Sequence, residues 1–234
     1  MEIRRLELLE GAAAATGLTV VIDVFRAFST AAYVLANGAR EILAVGAIEQ
    51  AYELKQRNPD FVLMGERGGR IQPGFDLGNS PYDASRYDFS GRTAILTTGA
   101  GTQGLTSAVG AQELVAGSFP TAAATARYIR SRSPQVVSLV AMGNRGVVPN
   151  DEDRLFAGYL AGLLEGHREN FEEIVRTLRQ SPSGRRFFDP AVDWALPEDF
   201  ELALSLDRFS FCLTAEALPD GTARITKAPD PLMI

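Results

Sequence analysis

Three stretches of the sequence are almost unbroken runs of apolar, mostly β-branched residues, and they constrain the fold more than any other feature. They are residues 19–24 (TVVIDV), 92–98 (RTAILTT) and 136–142 (VVSLVAM). Continuous apolar runs of this length are typical of strands buried on both faces in a parallel sheet. Helical patterns lie between them, so helices should cover both faces. The sequence therefore predicts an α/β fold with three layers, α/β/α, around a mostly parallel or mixed sheet.

Weaker patterns extend this alternation along the chain. Strands are expected at residues 1–9, 41–45, 61–64 and 114–116, and helices at 29–37, 48–57, 103–109, 121–132 and 151–164. After residue 166 the character changes. Residues 171–179 are amphipathic, Pro197 favours a further helix start, and residues 208–218 alternate as an edge strand would. A single domain over residues 1–234 is expected, with a possible subdomain change near residue 166.

Two segments, residues 19–46 and 93–118, share one plan. Each has a strand, a turn of small residues and a helix, followed by Gly-Ala-x-Glu-Ile/Leu and another strand. This is compatible with an internal duplication, although convergent βαβ patterning would give the same match.

Composition excludes several classes of protein. The net charge is −6 and no Lys/Arg cluster forms a basic face, so no nucleic-acid partner is expected. A single cysteine, Cys212, rules out an internal disulfide, and no Cys/His metal pattern is present. No basic segment with a long apolar run begins the chain, and the apolar stretches are only of strand length. We therefore expect no membrane partner and a cytoplasmic location.

Residues 65–81 (GERGGRIQPGFDLGNSP) have neither helical nor alternating apolar periodicity. They contain five glycines and two prolines, together with Glu66, Asp76, Arg67 and Arg70. Glycines allow backbone N–H groups to converge on a ligand, and arginines beside carboxylates suit an anion held with a divalent cation. A surface loop with solvated charges is the alternative interpretation, since Gly and Pro mark loops of every kind.

Polar residues follow several of the expected strands, where ligands bind in α/β folds. Carboxylates without histidine or cysteine suit Mg²⁺, whereas arginines and helix N-termini suit a phosphate or sulfonate. Together they indicate metal-assisted hydrolysis of a phosphate ester. The carboxylates are Asp23, Glu66, Asp76, Glu152 and Asp153, the cations Arg26, Arg67 and Arg145, and the small donors Asn79, Ser80, Thr97, Thr98, Thr102, Ser118 and Asn144.

Each of these residues also has a simpler explanation. Asp23 at a strand end is a natural helix cap, and Glu152 and Asp153 lie in a first helical turn, where the helix dipole favours acids. A strand-end aspartate also invites a haloacid-dehalogenase interpretation. That family requires a second aspartate two residues later, where this chain has Phe25, so the interpretation is disfavoured.

The motifs, taken in order, resemble the 2-phosphosulfolactate phosphatase family. The matching segments are VIDVFRAFST (21–30), ANGA (36–39), GERGG and GFDLGNSP within 65–81, LTTGAGT (96–102), GSF (117–119) and EDRLFAG (152–158). The resemblance implies a Mg²⁺-dependent phosphatase with an α/β/α fold. Its substrate would be the small anion (2R)-2-phospho-3-sulfolactate, which it would convert to (2R)-3-sulfolactate and phosphate.

The chain departs from the family pattern at two positions. The family often has Thr-Asn-Gly-Thr where this chain has Gly99-Ala100-Gly101-Thr102, and an asparagine common after GSF is replaced near Thr121. Two alternatives therefore stay open. One is a phosphatase for another phosphorylated hydroxyacid, such as phospholactate or phosphoglycolate, and the other is a non-catalytic anion-binding module.

The leading hypothesis assigns a role to each candidate residue. Asp23, Glu66 and Asp76 are expected to bind metal or orient water, with Glu152 and Asp153 as further metal ligands. Arg26 and Arg67 are expected to hold the phosphate or sulfonate. An apolar C-terminal region could pack on a second subunit, so a homodimer is left open. The expected substrate-binding residues are Gly68, Asn79, Ser80, Thr97, Thr98, Gly101, Thr102, Ser118 and Asn144.

Overall fold

A computed structural model describes residues 1–228, which form one nine-stranded sheet with helices on both faces. The strands are β1 (Glu2–Glu7), β2 (Gly17–Ile22), β3 (Glu41–Ala44), β4 (Val62–Gly65), β5 (Thr93–Thr97), β6 (Ala111–Gly117), β7 (Val136–Ala141), β8 (Cys212–Ala217) and β9 (Ala223–Ala228). The helices are α1 (Leu8–Ala14), α2 (Ala27–Ala36), α3 (Ile48–Arg57), α4 (Pro81–Arg86), α5 (Gly101–Ser107), α6 (Ala122–Arg132), α7 (Asp151–Glu165), α8 (Phe171–Gln180), α9 (Pro182–Arg185) and α10 (Pro197–Ala203).

Both faces of the sheet are buried, as the apolar strand runs predict. In β2, Val21 packs in one apolar cluster with residues of α1, α2 and α5, including Phe28. Its neighbours Val20 and Ile22 point to the other face and pack with residues of α6, α7, α8 and α10, including Phe156. Burying each such side chain contributes about 1.5–3 kcal/mol. The three-layer α/β prediction is confirmed, and helices that follow residue 166 share the second cluster.

The sheet is mixed and consists of two parallel groups joined by an antiparallel hairpin. The strand order is β1-β7-β2-β6-β8-β9-β3-β5-β4. Strands β1, β7, β2 and β6 pair in parallel, and so do β3, β5 and β4. The hairpin of β8 and β9 pairs antiparallel with β6 on one side and with β3 on the other. It therefore supplies the strand pairing between the two groups.

The position of β8 differs from the sequence prediction. Residues 208–218 were expected to form an edge strand, but β8 is the fifth strand of nine in the described sheet. Its mixed polar and apolar pattern suggested one solvated face. In the structure Cys212 and Leu213 are buried on opposite faces, whereas Glu216 and Ala217, at the end of the strand, are exposed. The edge-strand prediction is wrong because only the far end of the strand reaches solvent.

Two crossovers connect the parallel groups in opposite senses. The unit β2-α2-β3 leads from one group to the other, and β5-α5-β6 leads back. These are the two segments whose sequences share one plan. Three antiparallel pairings separate the groups, so their strands run in opposite nominal directions. Twist of roughly 20–25° per pairing, accumulated over the four pairings from β2 to β3, turns the groups by roughly 90°. With the groups turned in this way, the loop that follows β2 is in direct contact with the loop that follows β5.

Candidate functional site

One cavity of about 830 Å³ lies where segments following β2, β4, β5 and β7 meet a segment near the C-terminus. We call residues 23–26, 66–80, 98–101 and 142–150 the rim loops, and residues 182–199 the C-terminal wall. A volume of this size is typical of a small-molecule site. Several strand-end residues, among them Asp23, Glu66 and Arg145, therefore line one cavity, and the C-terminal wall, which no sequence motif marked, closes it.

Asp23 is held between the start of α2 and the loop before α5. Its Oδ1 accepts a hydrogen bond from the Ala27 N–H at 3.1 Å, and its Oδ2 accepts one from the Gly101 N–H at 2.8 Å. A Cβ at Gly101 would lie 2.8 Å from Oδ2, so only glycine allows this approach. Burial, with a smaller contribution from the charge of Glu66, raises the pKa of the Asp23 carboxyl to about 6. The aspartate therefore serves as a helix-start acceptor and also lines the cavity.

Glu66 binds the same loop as Asp23, at a position two residues earlier in the sequence. Its Oε1 accepts a hydrogen bond from the Gly99 N–H at 2.7 Å, and its Oε2 accepts one from the Gly69 N–H at 2.6 Å. Asp23 and Glu66 thus bind N–H groups at residues 101 and 99 of one short loop. This shared attachment brings carboxylates from the two parallel groups to one side of the cavity.

Asp153 is fully buried and does not line the cavity. Its Oδ1 accepts a hydrogen bond from the Val24 N–H at 2.8 Å, and its Oδ2 accepts one from the Gly143 N–H at 2.9 Å. Burial raises its pKa well above the usual range, and the charges of Glu152 and Asp23 raise it further. The side chain therefore joins the loops that follow β2 and β7.

Glu152 lines the cavity beside the C-terminal wall. Its Oε1 accepts a hydrogen bond from the Asn150 side chain at 2.9 Å, and its Oε2 accepts one from the Ser183 hydroxyl. Burial raises the pKa of this carboxyl, whereas the hydrogen bond from Ser183 lowers it. Glu152 thus connects the first turn of α7 to the wall.

Arg26 lines the cavity, but its guanidinium is already engaged. Its Nη1 donates to Asp199 Oδ2 at 2.6 Å and to the Trp194 carbonyl at 2.9 Å, and its Nη2 donates to the Gly69 carbonyl at 3.3 Å. The side chains of Arg26 and Asp199 are 4% and 0% exposed. The Trp194 ring centre lies 5.5 Å from the guanidinium carbon. Arg26 therefore holds the C-terminal wall against the rim loops.

Asp199 is the residue of the C-terminal wall that pairs with Arg26. Besides Arg26, it accepts hydrogen bonds from the Ser80 hydroxyl at 2.6 Å and the Tyr82 N–H at 3.1 Å. Ser80 also caps α4 by accepting from the Asp83 N–H at 3.1 Å. The end of the glycine-rich loop is therefore tied to α10 through a buried carboxylate.

Arg67 lies behind the rim and does not line the cavity. Its Nη2 donates to Thr97 Oγ1 at 2.8 Å and to the Gly46 carbonyl at 3.1 Å, and its Nη1 donates to the Glu66 carbonyl at 2.7 Å. Burial lowers the pKa of this guanidinium. Its contacts fix the loop that carries Glu66.

Asp76 is separate from the other candidate carboxylates. Its Oδ2 accepts hydrogen bonds from Lys55 Nζ and from the Leu63 N–H, each at 2.8 Å. It lines a different cavity of about 450 Å³, which also contains Lys55 and Arg92. The structure thus places Asp76 with α3 and β4, outside the cavity that Asp23 and Glu66 share.

The small polar candidates divide into two sets. Gly68, Asn79 and Asn144 line the cavity, and Oδ1 of Asn79 is buried without a hydrogen-bond donor among the described residues. Thr98 and Thr102 bond each other at the start of α5. The candidates that do not line the cavity are Ser80, Thr97, Thr98, Gly101, Thr102 and Ser118.

Four residues of the C-terminal wall line the cavity and were not among the candidates. They are Pro182, Ser183, Arg186 and Trp194. None of them directly follows a predicted strand, and nothing in the local pattern distinguishes their segment from an ordinary surface segment. Arg145, which was noted as a strand-end cation, also lines the cavity.

The donors suit Mg²⁺ as a partly hydrated ion better than as an ion enclosed by carboxylates. No group of three or more His, Cys, Asp or Glu side chains in residues 1–228 is arranged to hold a metal. Mg²⁺ commonly keeps several waters and uses one or two carboxylates together with substrate phosphate oxygens. Asp23 and Glu66 provide two such carboxylates. The negative charge of each makes the potential at the other more negative, which favours a cation between them. The residues present therefore fit the ion in this form.

Ala100 lies at the cavity, as expected from the departure in the motif. It lines the cavity and is 6% exposed, so a larger polar side chain at this position would face the ligand. Thr121, at the second departure, is buried and does not line the cavity. The first departure thus bears on ligand contacts, and the second lies behind the site.

Comparison with known proteins shows which sequences this chain is similar to. A sequence model of the family described as 2-phosphosulpholactate phosphatase matches residues 4–216. A protein of Thermotoga petrophila is 40% identical over 219 residues, covering 90% of this chain and 92% of that protein. One of Bacillus subtilis is 34% identical over 178 residues, covering 74% and 75%. Both are named "Probable 2-phosphosulfolactate phosphatase".

Proposed function

Because the chain belongs to the 2-phosphosulfolactate phosphatase family, we propose that it is a phosphoric monoester hydrolase acting on (2R)-2-phospho-3-sulfolactate. The products are (2R)-3-sulfolactate and phosphate. Water attacks phosphorus, the bond between phosphorus and the C2 oxygen breaks, and the departing oxygen takes a proton. One observation carries the proposal. Asp23 and Glu66 line one cavity, and both accept hydrogen bonds from the loop at residues 99–101.

The charge balance of the cavity favours a metal-dependent reaction. Its lining has four carboxylates and three arginines, one negative charge in excess, and Arg26 is already paired with Asp199. A substrate with a phosphate, a sulfonate and a carboxylate needs further positive charge to enter. We therefore propose Mg²⁺ as the cofactor, held by Asp23 and Glu66 with Glu152 nearby. When bound, it would neutralise the phosphoryl oxygens.

The chain's own residues would position the substrate. Asp23 and Glu66 fix the loop before α5, whose close approach would bring backbone groups to the phosphoryl. Asn79 has a free buried Oδ1 for a hydroxyl or water donor. Arg145 adds a positive charge to the lining close to Gly68 and Gly99. Phe25 and Trp194 contribute aromatic rings to the lining.

The test is phosphate release from a panel of phosphorylated hydroxyacids. We expect phosphosulfolactate to be hydrolysed at least tenfold faster in kcat/KM than phospholactate or phosphoglycolate, a difference of about 1.4 kcal/mol in transition-state binding. Chelation with EDTA should abolish release, and Mg²⁺ should restore it. The Asp23→Asn variant, purified in parallel, controls for contaminating phosphatases. Binding of the panel without any phosphate release would instead identify an anion-binding module.

Ala100 gives a specific reason to keep a second substrate class. Ala100 lines the cavity at the position where the family often carries an asparagine, so the lining of this chain lacks that amide group. A phosphatase for another small phosphorylated hydroxyacid is therefore the second candidate function. The Ala100→Asn variant separates the two candidates, because restoring the side chain should shift preference towards phosphosulfolactate if that is the substrate.

Partner and location predictions are tested separately. In residues 1–228 no helix combines the length and the apolar character that crossing a membrane requires. A homodimer and a cytoplasmic location stay predictions, which light scattering on the purified protein and cell fractionation would test.

A further inference from the structure

Arg186 is the arginine of the cavity lining whose buried N–H group lacks a partner. It belongs to a short 3₁₀ turn, Arg186–Phe188, in the C-terminal wall. Its Nη2 donates to the Phe25 carbonyl at 3.2 Å, but its buried Nε has no acceptor among the described residues. Leaving a buried charged donor unpaired is costly, and a ligand oxygen that reached this edge of the guanidinium would supply the missing acceptor.

Arg26 lines the same cavity and shows the contrast. Both of its terminal nitrogens donate to protein oxygens, including the buried carboxylate of Asp199. Arg186 has no ion pair with a carboxylate within residues 1–228. The negative charges of Glu152 and Asp23 act on it only from a distance, and burial lowers its pKa. It therefore remains a charged group available to an entering anion.

Two aromatic rings hold the Arg186 guanidinium in place. Its central carbon lies 5.2 Å from the Phe187 ring centre and 5.3 Å from the Trp194 ring centre. A guanidinium is weakly hydrated and stacks on aromatic faces, so this setting favours a weakly hydrated anion over a strongly hydrated one. Less conformational freedom is lost on binding because the side chain is already ordered.

We propose that Arg186 binds the sulfonate of the substrate and so determines its specificity. This inference rests on the proposed function. In the proposed function the phosphoryl group lies beside Asp23 and Glu66 on the rim loops, whereas Arg186 reaches the lining from the C-terminal wall. A sulfonate stays ionised, is weakly hydrated and offers three oxygens to a side-on pair of N–H groups. It takes no part in bond cleavage, so recognition requires only charge and hydrogen bonds.

The experiment compares two substrates that differ only in the sulfonate. Steady-state kinetics of Arg186→Gln and Arg186→Lys are measured on phosphosulfolactate and on 2-phospholactate, with Arg185→Gln as the matched control. Arg185 is exposed and does not line the cavity. We expect Arg186→Gln to reduce the preference for phosphosulfolactate by about 10- to 100-fold, the range for a charge-assisted hydrogen bond. The loss should appear in KM more than in kcat, and lysine should restore part of it.

Two results would overturn the proposal. An unchanged preference between the two substrates in Arg186→Gln would show that the arginine does not recognise the sulfonate. Equal losses on both substrates would place it at the phosphoryl group instead. Circular dichroism and thermal melting of each variant, including the milder Arg186→Lys, separate these results from misfolding.

A binding measurement keeps the inference independent of turnover. Calorimetric titration with 3-sulfolactate, and with lactate as the sulfonate-free comparison, requires no hydrolysis. Sulfolactate binding that weakens at least tenfold in Arg186→Gln, in a protein that releases no phosphate, would support the sulfonate site and reject the proposed hydrolysis. A wild-type protein that binds sulfolactate no better than lactate would reject the sulfonate site even if it hydrolyses other phosphate esters.

Discussion

The rim loops and the C-terminal wall both bring charged side chains to the cavity, but they use them differently. On the rim, both carboxylate oxygens of Asp23 and of Glu66 accept hydrogen bonds from backbone N–H groups. Arg26 is paired with Asp199, which belongs to the wall. On the wall, Arg186 retains a buried Nε–H that has no acceptor within residues 1–228. These three rim side chains are thus already hydrogen-bonded within the protein, whereas one donor on the wall is not.

This difference shows that the charge content of a motif does not reveal which charges are free. The glycine-rich loop at residues 65–81 is rich in arginines and carboxylates, yet Arg67 and Asp76 contact other parts of the protein. A loop with many glycines needs such anchors, since its backbone is otherwise free to move. The glycine-rich loop at residues 65–81 therefore serves largely to position other groups. The C-terminal wall, whose sequence is less distinctive, completes the site.

Removing the contact between the two regions should have the largest effect. Asp199→Ala removes the acceptor of Arg26, Ser80 and Tyr82 and leaves a buried guanidinium without its counter-charge. We expect a loss of about 3–5 kcal/mol in the free energy of unfolding, measured by urea denaturation. Glu198→Ala is the matched control, since this neighbour is exposed. A loss below about 1 kcal/mol would mean that the wall is not held to the rim through this pair.

Neutralising a rim carboxylate should mainly affect catalysis. The side chain of Glu66→Gln has one acceptor oxygen in place of two. The hydrogen bond from either the Gly69 N–H or the Gly99 N–H is therefore lost. We expect kcat to fall about 100-fold or more in the phosphate-release assay. Asp76→Asn is the comparison, with an expected loss within threefold because Asp76 lines the other cavity. If Asp76→Asn lost as much activity as Glu66→Gln, Asp76 would belong to the site after all.

Removing the aromatic part of the wall should have the smallest effect. Trp194 stacks on Arg26 and Arg186 and also packs against Gly69, where a Cβ would lie 2.4 Å from its ring. We expect Trp194→Ala to raise KM by about two- to fivefold, the size of a cation–π contact of about 0.5–1 kcal/mol. Trp194→Phe keeps a ring and should stay near wild type. A fall in kcat with unchanged KM would instead assign Trp194 to the reaction itself.

The sequence predicted most of the sheet because its strands are buried on both faces and read as apolar runs. The run at residues 19–24 overlaps β2, and the runs at residues 92–98 and 136–142 contain β5 and β7. Helix α4 and strand β9 were missed although local signals were present. Ser80 before Pro81 is a helix start, and Asp220-Gly221 is a hairpin turn. Strand order was not predictable, since the pairing of β8 with β6 depends on contacts across about 100 residues.

The site was predicted where it depends on segments that follow strands. Asp23 and Glu66 each directly follow a strand and both line one cavity, while their roles there stay predictions. Arg186 was not predicted to line it because tertiary packing brings the wall over the rim. Likewise, the engagement of Arg26 depends on Asp199, which lies 173 residues away in sequence. No local pattern encodes a partner at that distance.

The hairpin of β8 and β9 has a consequence for synthesis. The hairpin follows the other seven described strands in sequence, so it leaves the ribosome after them, at about 5–20 residues per second, and within residues 1–228 it alone joins β6 to β3. Until it emerges, the nascent chain carries two separate sheets with unpaired edges at β6 and β3, which are templates for association with other chains. Asp23 follows one sheet and Glu66 the other. A ribosome-bound chain lacking residues 212–228 should therefore need chaperone protection and have no assembled site, and both should change together when the hairpin inserts.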